Sequence, residues 1–283
     1  MESPFRGLGY MNYYYLISGL PDIRLDEQKN VPSMAELRTE LEAKLSEQDV
    51  KLLYLIYAKY DNRNLILYLE NKEAELNPLG SYTVECLKDL TEHEMMRADC
   101  SWNYLVEFCK LYKDESVSFD GISGEDYLSG MFYEYAVKES NEFLHDWFEF
   151  NLNVNNLLTA IACRKYGYDL QRFVLGDSEI ARALRKSNAR DFGLKNLFSE
   201  SEEIIRIAEE PNLLVREKQI DELKWKWLEE HTFFNYFSVE RILAFVLKCE
   251  LINRWKPLTQ EKGKQIFGEL LEELKKGVSF EET

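Results

Sequence analysis

EFLHDWFEFNLNVNNLLTAIACRKY, residues 142–166, is the longest periodic stretch of this 283-residue chain. Phe143, Trp147, Phe150, Val154, Leu158 and Ile161 recur every three or four residues and line one apolar face, the period of an amphipathic helix. Gly167 follows as the expected C-terminal cap, because glycine enters the left-handed region without a Cβ clash. Within the stretch, Asn151, Asn153, Asn155 and Asn156 crowd together. Asparagine is an indifferent helix former, so the cluster predicts tertiary compensation, with side-chain amides tying neighbouring helices together.

Helix-start signals recur on both sides of this stretch. Ser33-Met34-Ala35-Glu36, after Pro32, reads as a capping box, and Ser46-Glu47-Gln48-Asp49 repeats it before Leu52 and Leu53. Ser123-Gly124-Glu125-Asp126, Asp177-Ser178-Glu179 and Ser238-Val239-Glu240 do so again. Leu213 to Trp227 carries Ile220, Leu223 and Trp227 on one side, and a last helix is expected from about Thr259 to Lys276, ahead of Gly277. Strand alternation is scarce. The one candidate is Tyr13 to Ile17, a short apolar run that period alone does not assign.

The breaks are the polar segment Lys113 to Glu125 and, less marked, Pro211-Asn212. They predict an N-terminal helical lobe over 1–115 and C-terminal helical lobes over 116–283, packed as one continuous body. The fold class is all-α, a multi-helix body of two or three similar packed lobes.

Composition agrees. The 13 glycines and 6 prolines fall well below the average share of about 12%. Hydrophobic residues at 45% and charged residues at 30% suit a globular chain with a sizeable core. The net charge of −16 repels phosphate backbones and anionic headgroups, so nucleic acid is not an expected partner, and a basic protein partner is. Five cysteines, Cys86, Cys100, Cys109, Cys163 and Cys249, include no CxxC pair, which points to a reduced, cytoplasmic protein. The longest apolar run, Leu52 to Ala58, is far short of the about 20 residues of a membrane span. The N-terminus lacks the order of a secretion signal, and Met11 offers an alternative start.

Signals for chemistry are few. His145-Asp146 is the dipeptide of His-Asp metal-dependent phosphohydrolases, with His93 and Asp169 as the remaining candidate ligands. It sits between Phe143-Leu144 and Trp147-Phe148, so a packed helix face is the stronger reading. Glu92-His93-Glu94 would point in directions about 100° apart on a helix and cannot converge on one ion. Gly7-Leu8-Gly9 has no strand before it, and there is no GxSxG elbow. No cofactor and no metal site is expected. Aromatic residues reach 13%, with clusters at Tyr13–Tyr15, Trp147-Phe148, Trp225/Trp227 and Phe233–Phe237. They serve helix packing or a protein-docking surface.

Residues 156–167, from Asn156 to Gly167, resemble the repeated helix motif of the central-stalk C subunit (also called d) of V-type and A-type rotary ATPases. Asn156, Arg164 and Gly167 match that motif, while Ala162 stands at its first Arg position. Ile180 to Leu184, leading through Ser187 to Asp191-Phe192-Gly193-Leu194, resembles the segment that follows it. Phe237 to Glu250 resembles the family's late helix, which runs to a Lys and Glu pair; here Cys249 intervenes between Lys248 and Glu250. The opening Asn12 to Asp22 is similar to the start of an uncharacterised bacterial family encoded beside V-type ATPase subunits. The resemblance implies a helical funnel of three similar lobes on the cytoplasmic face of the membrane rotor ring. Such a subunit receives the end of the central shaft, passes torque for ion transport and does no chemistry of its own. The chain is short for three full lobes, so one is expected to be abbreviated. Its implied partners are the shaft subunits and the rotor ring, and its interaction candidates are Asn156, Arg164, Gly167 and Glu250. The competing readings are a helical adaptor of another cytoplasmic assembly and a phosphohydrolase built on His145-Asp146.

Overall fold

The computed structural model describes residues 13–26, 31–93, 102–114 and 123–256. The expected helix at 259–276, Gly7 and Gly9, Met11, Asn12, Glu94 and Cys100 lie outside the described residues. Among those described there are twelve helices and no strand. In chain order they are α1 (Tyr14–Ser18), α2 (Met34–Glu42), α3 (Glu47–Glu70), α4 (Val84–His93), α5 (Asn103–Lys113) and α6 (Gly124–Glu139). There follow α7 (Glu142–Tyr166), α8 (Leu170–Phe173), α9 (Glu179–Lys186), α10 (Ser201–Ala208), α11 (Leu213–His231) and α12 (Val239–Asn253). The all-α expectation holds. The ambiguous run at Tyr13–Ile17 is helical: the Ile17 N–H bonds to the Tyr13 carbonyl at 2.9 Å, closing one turn before Gly19.

Serine caps start the helices where their signals stand. The Ser46 hydroxyl oxygen accepts from the Asp49 N–H at 3.2 Å, and Ser123 accepts from Asp126 at 3.0 Å. The acidic residue three positions on completes the capping-box pattern. The serine hydroxyl donates to its carboxylate, at 2.7 Å for both Asp49 and Asp126 and 2.8 Å for Glu36. Each carboxylate still sits in a first helical turn, where the helix dipole favours negative charge. Ser238 precedes α12 but makes no side-chain cap bond.

The chain forms two compact units, residues 41–224 and residues 1–40 together with 225–283. The polar segment near residue 115 lies inside the first of these. There α5, on one side of the segment, packs against α6 on the other, and α6 also packs against α3 and α7. The helix α7 in turn packs against α8, α9 and α10. Its 25 residues make it about 37 Å long. Phe132 meets Phe148 edge-on at 5.4 Å between ring centroids, and Phe150 meets Phe198 at 6.3 Å. The buried face of α7 follows the predicted stripe through Val154. It then runs through Leu157, Ala160 and Cys163, while Leu158 and Ile161 are only half-buried. A helix touched by four neighbours buries more than one stripe.

The other unit is built on α12, whose Ile242, Leu243 and Val246 are fully buried. The Tyr13 N–H donates to the Phe237 carbonyl at 2.9 Å, and the Asn253 amide donates to the Pro32 carbonyl at 3.2 Å. Among the described residues no helix is long and apolar enough to cross a membrane.

Candidate functional site

The second half of α7 and the chain that follows it bring three of the four candidate residues to one region. Asn156 is buried. Its Oδ1 accepts from the Leu175 N–H at 2.8 Å and its Nδ2 donates to the Leu175 carbonyl at 2.9 Å. One side chain thereby satisfies both backbone groups of a loop residue, as a neighbouring strand would. Gly167 ends α7 at φ 76°, and its N–H bonds to the Cys163 carbonyl at 2.8 Å.

Arg164 reaches past the end of α9. Its guanidinium donates to the carbonyls of Ser187 and Ala189 and stacks on the Phe192 ring, 3.4 Å from the centroid. Burial pulls its pKa below the usual arginine value, but arginine stays charged at any pH that leaves proteins folded. Phe192 itself is buried at φ 54°, in the left-handed region, followed by Gly193 at φ 70°. A non-glycine residue there is strained and persists only where its surroundings fix it. Arg164 across the ring face and burial of the ring supply that. Arg185 completes the arrangement by donating to the Val174 and Gly176 carbonyls at 2.6 and 2.7 Å.

Glu250, the fourth candidate, lies half-buried on α12, in the other unit. Beside it Cys249 is buried, and burial pushes its thiol up to about 12. Lys248 lies over the Trp225 ring at 4.5 Å and donates to Glu229 at 3.2 Å.

A matching arrangement on α3 has no counterpart in the sequence reading. Asn64 is buried. Its Oδ1 accepts from the Asn77 N–H at 2.7 Å and its Nδ2 donates to the Asn77 carbonyl at 3.0 Å. One turn earlier, Asp61 accepts from the N–H groups of Ser81 and Tyr82. Gly80 passes so close that a Cβ there would stand 2.3 Å from the Asn64 amide nitrogen. The available signal was an asparagine in mid-helix followed by a Leu-Gly turn, Leu79-Gly80 after Asn64 and Leu175-Gly176 after Asn156.

The other asparagines of α7 act separately. Asn151 donates back to the Trp147 carbonyl at 2.8 Å, and Asn155 donates to the Tyr133 hydroxyl on α6 at 3.3 Å. The amides therefore bind loop backbone and the helix's own backbone more than neighbouring helices.

His145 and Asp146 do not form a metal site with the residues proposed for them. The His145 Nδ1 bonds to the Val137 carbonyl at 2.9 Å, and Asp146 is exposed. Asp169 caps α8 beyond the far end of α7, about 30 Å along the helix from His145. Glu92 pairs with Lys72 at 2.7 Å. Among the described residues no three His, Cys, Asp or Glu side chains are placed to hold an ion. A cleft of about 520 Å³ opens between α5, α6 and the loop that Asn156 holds, lined by Tyr104, Glu107, Met131, Glu134, Lys138 and Leu175.

The family model described as "Protein of unknown function (DUF2764)" matches residues 10–278. A protein of Chlamydia muridarum (strain MoPn / Nigg), described as uncharacterized, is 22% identical over 280 residues, covering 95% of this chain and all of that protein. No solved structure matches the chain.

Proposed function

The chain belongs to the DUF2764 family, and we propose that it is a non-enzymatic rotor subunit of a V-type ATPase, coupling the central shaft to the membrane ring for ion transport. The observation that carries this reading is the repeated asparagine catch. A rotor subunit of the C type is built from similar helical lobes, and α3–α4 and α7–α9 use one device to fold a connection back onto a long helix. The motif residues support it. Asn156, Arg164 and Gly167, the residues that match the motif, each have a distinct task in shaping the segment after α7. The subunit's place is then peripheral, at the inner face of the membrane through the complex, and its work is mechanical. Long helices whose connections are pinned back onto them by buried hydrogen bonds transmit force with little local yielding.

The net charge of −16 favours a basic surface on the shaft. Co-purification with shaft and ring subunits tests the reading directly. Association with the shaft is expected to slow between low and high ionic strength, mainly in the on-rate, because exposed charges act over about 8 Å at physiological salt. If no complex forms with either partner at any salt concentration, the rotor reading fails and a helical adaptor of another assembly takes its place.

A further inference from the structure

The cleft of about 520 Å³ between α5, α6 and residues 174–176 lies wholly within the unit spanning 41–224. Its volume falls in the range of small-molecule sites, about 300–1,000 Å³. Along α6, Tyr127, Met131, Glu134 and Lys138 step by four, three and four residues, and so line the cleft from one helical face about 16 Å long. The remaining walls are held in place. Tyr104 is buried, packs its ring on Tyr135 at 5.2 Å between centroids, and donates its hydroxyl proton to Asn62 at 2.6 Å. On the loop side Asn156 holds both backbone groups of Leu175, and Arg185 holds the Val174 and Gly176 carbonyls. A cleft fixed in this way loses little conformational freedom when a ligand enters.

The charges of the cleft are open. Glu107, Glu134 and Lys138 are exposed, and no side-chain hydrogen bond or ion pair engages any of them among the described residues. Glu134 and Lys138 nevertheless stand four apart in the order that favours a helical ion pair. The less favourable order is paired elsewhere, Lys226 with Glu230 at 3.9 Å. Two carboxylates and one ammonium thus line a cavity that also presents tyrosine rings, Met131 and Leu175. An anion is repelled by the two carboxylates, and an apolar ligand would desolvate three charges without pairing them. A diamine leaves Lys138 without a partner. The complement is two cationic groups and one carboxylate joined by an aliphatic chain, with the Tyr127 and Tyr135 rings favouring cations at their faces.

We infer that this cleft binds a free basic amino acid of the lysine or arginine type. Its α-carboxylate pairs with Lys138, its α-ammonium with Glu134 and its side-chain cation with Glu107, while its aliphatic stem packs on Met131 and Leu175. The inference stands apart from the rotor reading.

The test is titration calorimetry of the full chain at low salt with L-lysine, L-arginine, L-leucine and cadaverine, which is lysine without its carboxylate. Loss of one charged pair weakens binding by about tenfold or more. Lysine or arginine is expected to bind, with leucine and cadaverine each weaker by that factor. Glu107→Gln should weaken lysine and leave leucine unchanged, and Lys138→Met should weaken lysine and leave cadaverine unchanged. The control Glu222→Gln, an exposed carboxylate of α11 outside the cleft, should bind as wild type. All three positions are exposed, and an unchanged helical circular dichroism spectrum verifies the fold. Absence of binding by both lysine and arginine overturns the proposal. So does cadaverine binding as tightly as lysine, which would make the cleft a general amine site. Equal weakening by Glu222→Gln and Glu107→Gln also overturns it, since the acidic surface alone would then account for the attraction. None of these outcomes touches the rotor reading, which binding to shaft and ring subunits tests separately.

Discussion

Two long helices of this protein catch the chain that follows them with a buried asparagine, and they make room for it differently. On α3, Asn64 holds Asn77, and Gly80 is needed because any side chain there would meet the amide. On α7, Asn156 holds Leu175, and the next residue, Gly176, has space for a Cβ, its nearest contact being Leu152 at 3.5 Å. It sits instead at φ 74°, where L side chains are strained. The same Leu-Gly dipeptide thus answers a steric demand in one place and a torsional demand in the other. Glycine is the common solution because it lacks the one atom that both demands exclude.

The largest effects should come from removing the catches. Asn156→Ala and Asn64→Ala each strand a backbone N–H and a carbonyl, and each is expected to cost about 2–4 kcal/mol in urea unfolding. A loss below about 1 kcal/mol at either would mean that water replaces the amide and the device is ornamental there.

Next come the glycines, which separate the two mechanisms. Gly80→Ala should cost about 2–3 kcal/mol, as overpacking does. Gly176→Ala should cost about 1 kcal/mol, from strain alone. The double variant Asn64→Ala/Gly80→Ala should be less unstable than the two losses added, because the clashing amide is gone. Asn156→Ala/Gly176→Ala should be additive. Additivity in both pairs would erase the distinction.

A smaller contrast lies in the tyrosines. The Tyr104 hydroxyl donates to the buried Asn62 Oδ1 at 2.6 Å, whereas the Tyr133 hydroxyl accepts from the exposed Asn155 at 3.3 Å. Tyr104→Phe should therefore cost about 1–2 kcal/mol, since it leaves a buried acceptor unpaired. Tyr133→Phe should cost less than about 0.5 kcal/mol. Melting temperatures of the two variants check the order.

The last effect is in pH. Burial raises the Tyr104 phenol well above its ordinary 10.0 and pushes Tyr133 up to about 12. The folded state keeps these protons where the unfolded chain has lost them, so stability falls as pH rises above about 10. In Tyr104→Phe that fall should be shallower than in wild type, measured as the urea midpoint between pH 8 and pH 11.

Much of this architecture was legible in the sequence. The periodic face and Gly167 placed α7, and the serine signals placed α3, α6 and α9. The asparagine cluster announced compensation, and Asn156, Arg164 and Gly167 stood out through a motif. What the sequence hid was the object each side chain holds. Asn156 binds backbone 19 residues on, and Arg164 stacks on Phe192 28 residues on, distances that local periodicity does not encode. Asn64 was missed because Asp61-Asn62-Arg63-Asn64 reads as a polar, solvated turn of helix, whereas three of those four side chains are buried. The expected lobe boundary at 115 rests on polarity, while the packing of α6 against α3, α5 and α7 is a long-range feature that polarity does not encode.

The asparagine catches also give two loop residues the kinetics of regular structure. The amide hydrogens of Asn77 and Leu175 lie outside any helix, where exchange with deuterated water is ordinarily fast. Each is held by the side-chain amide oxygen of a buried asparagine on a long helix. Their exchange therefore waits on release of the asparagine catch, and they report the stability of that catch from positions outside the helices.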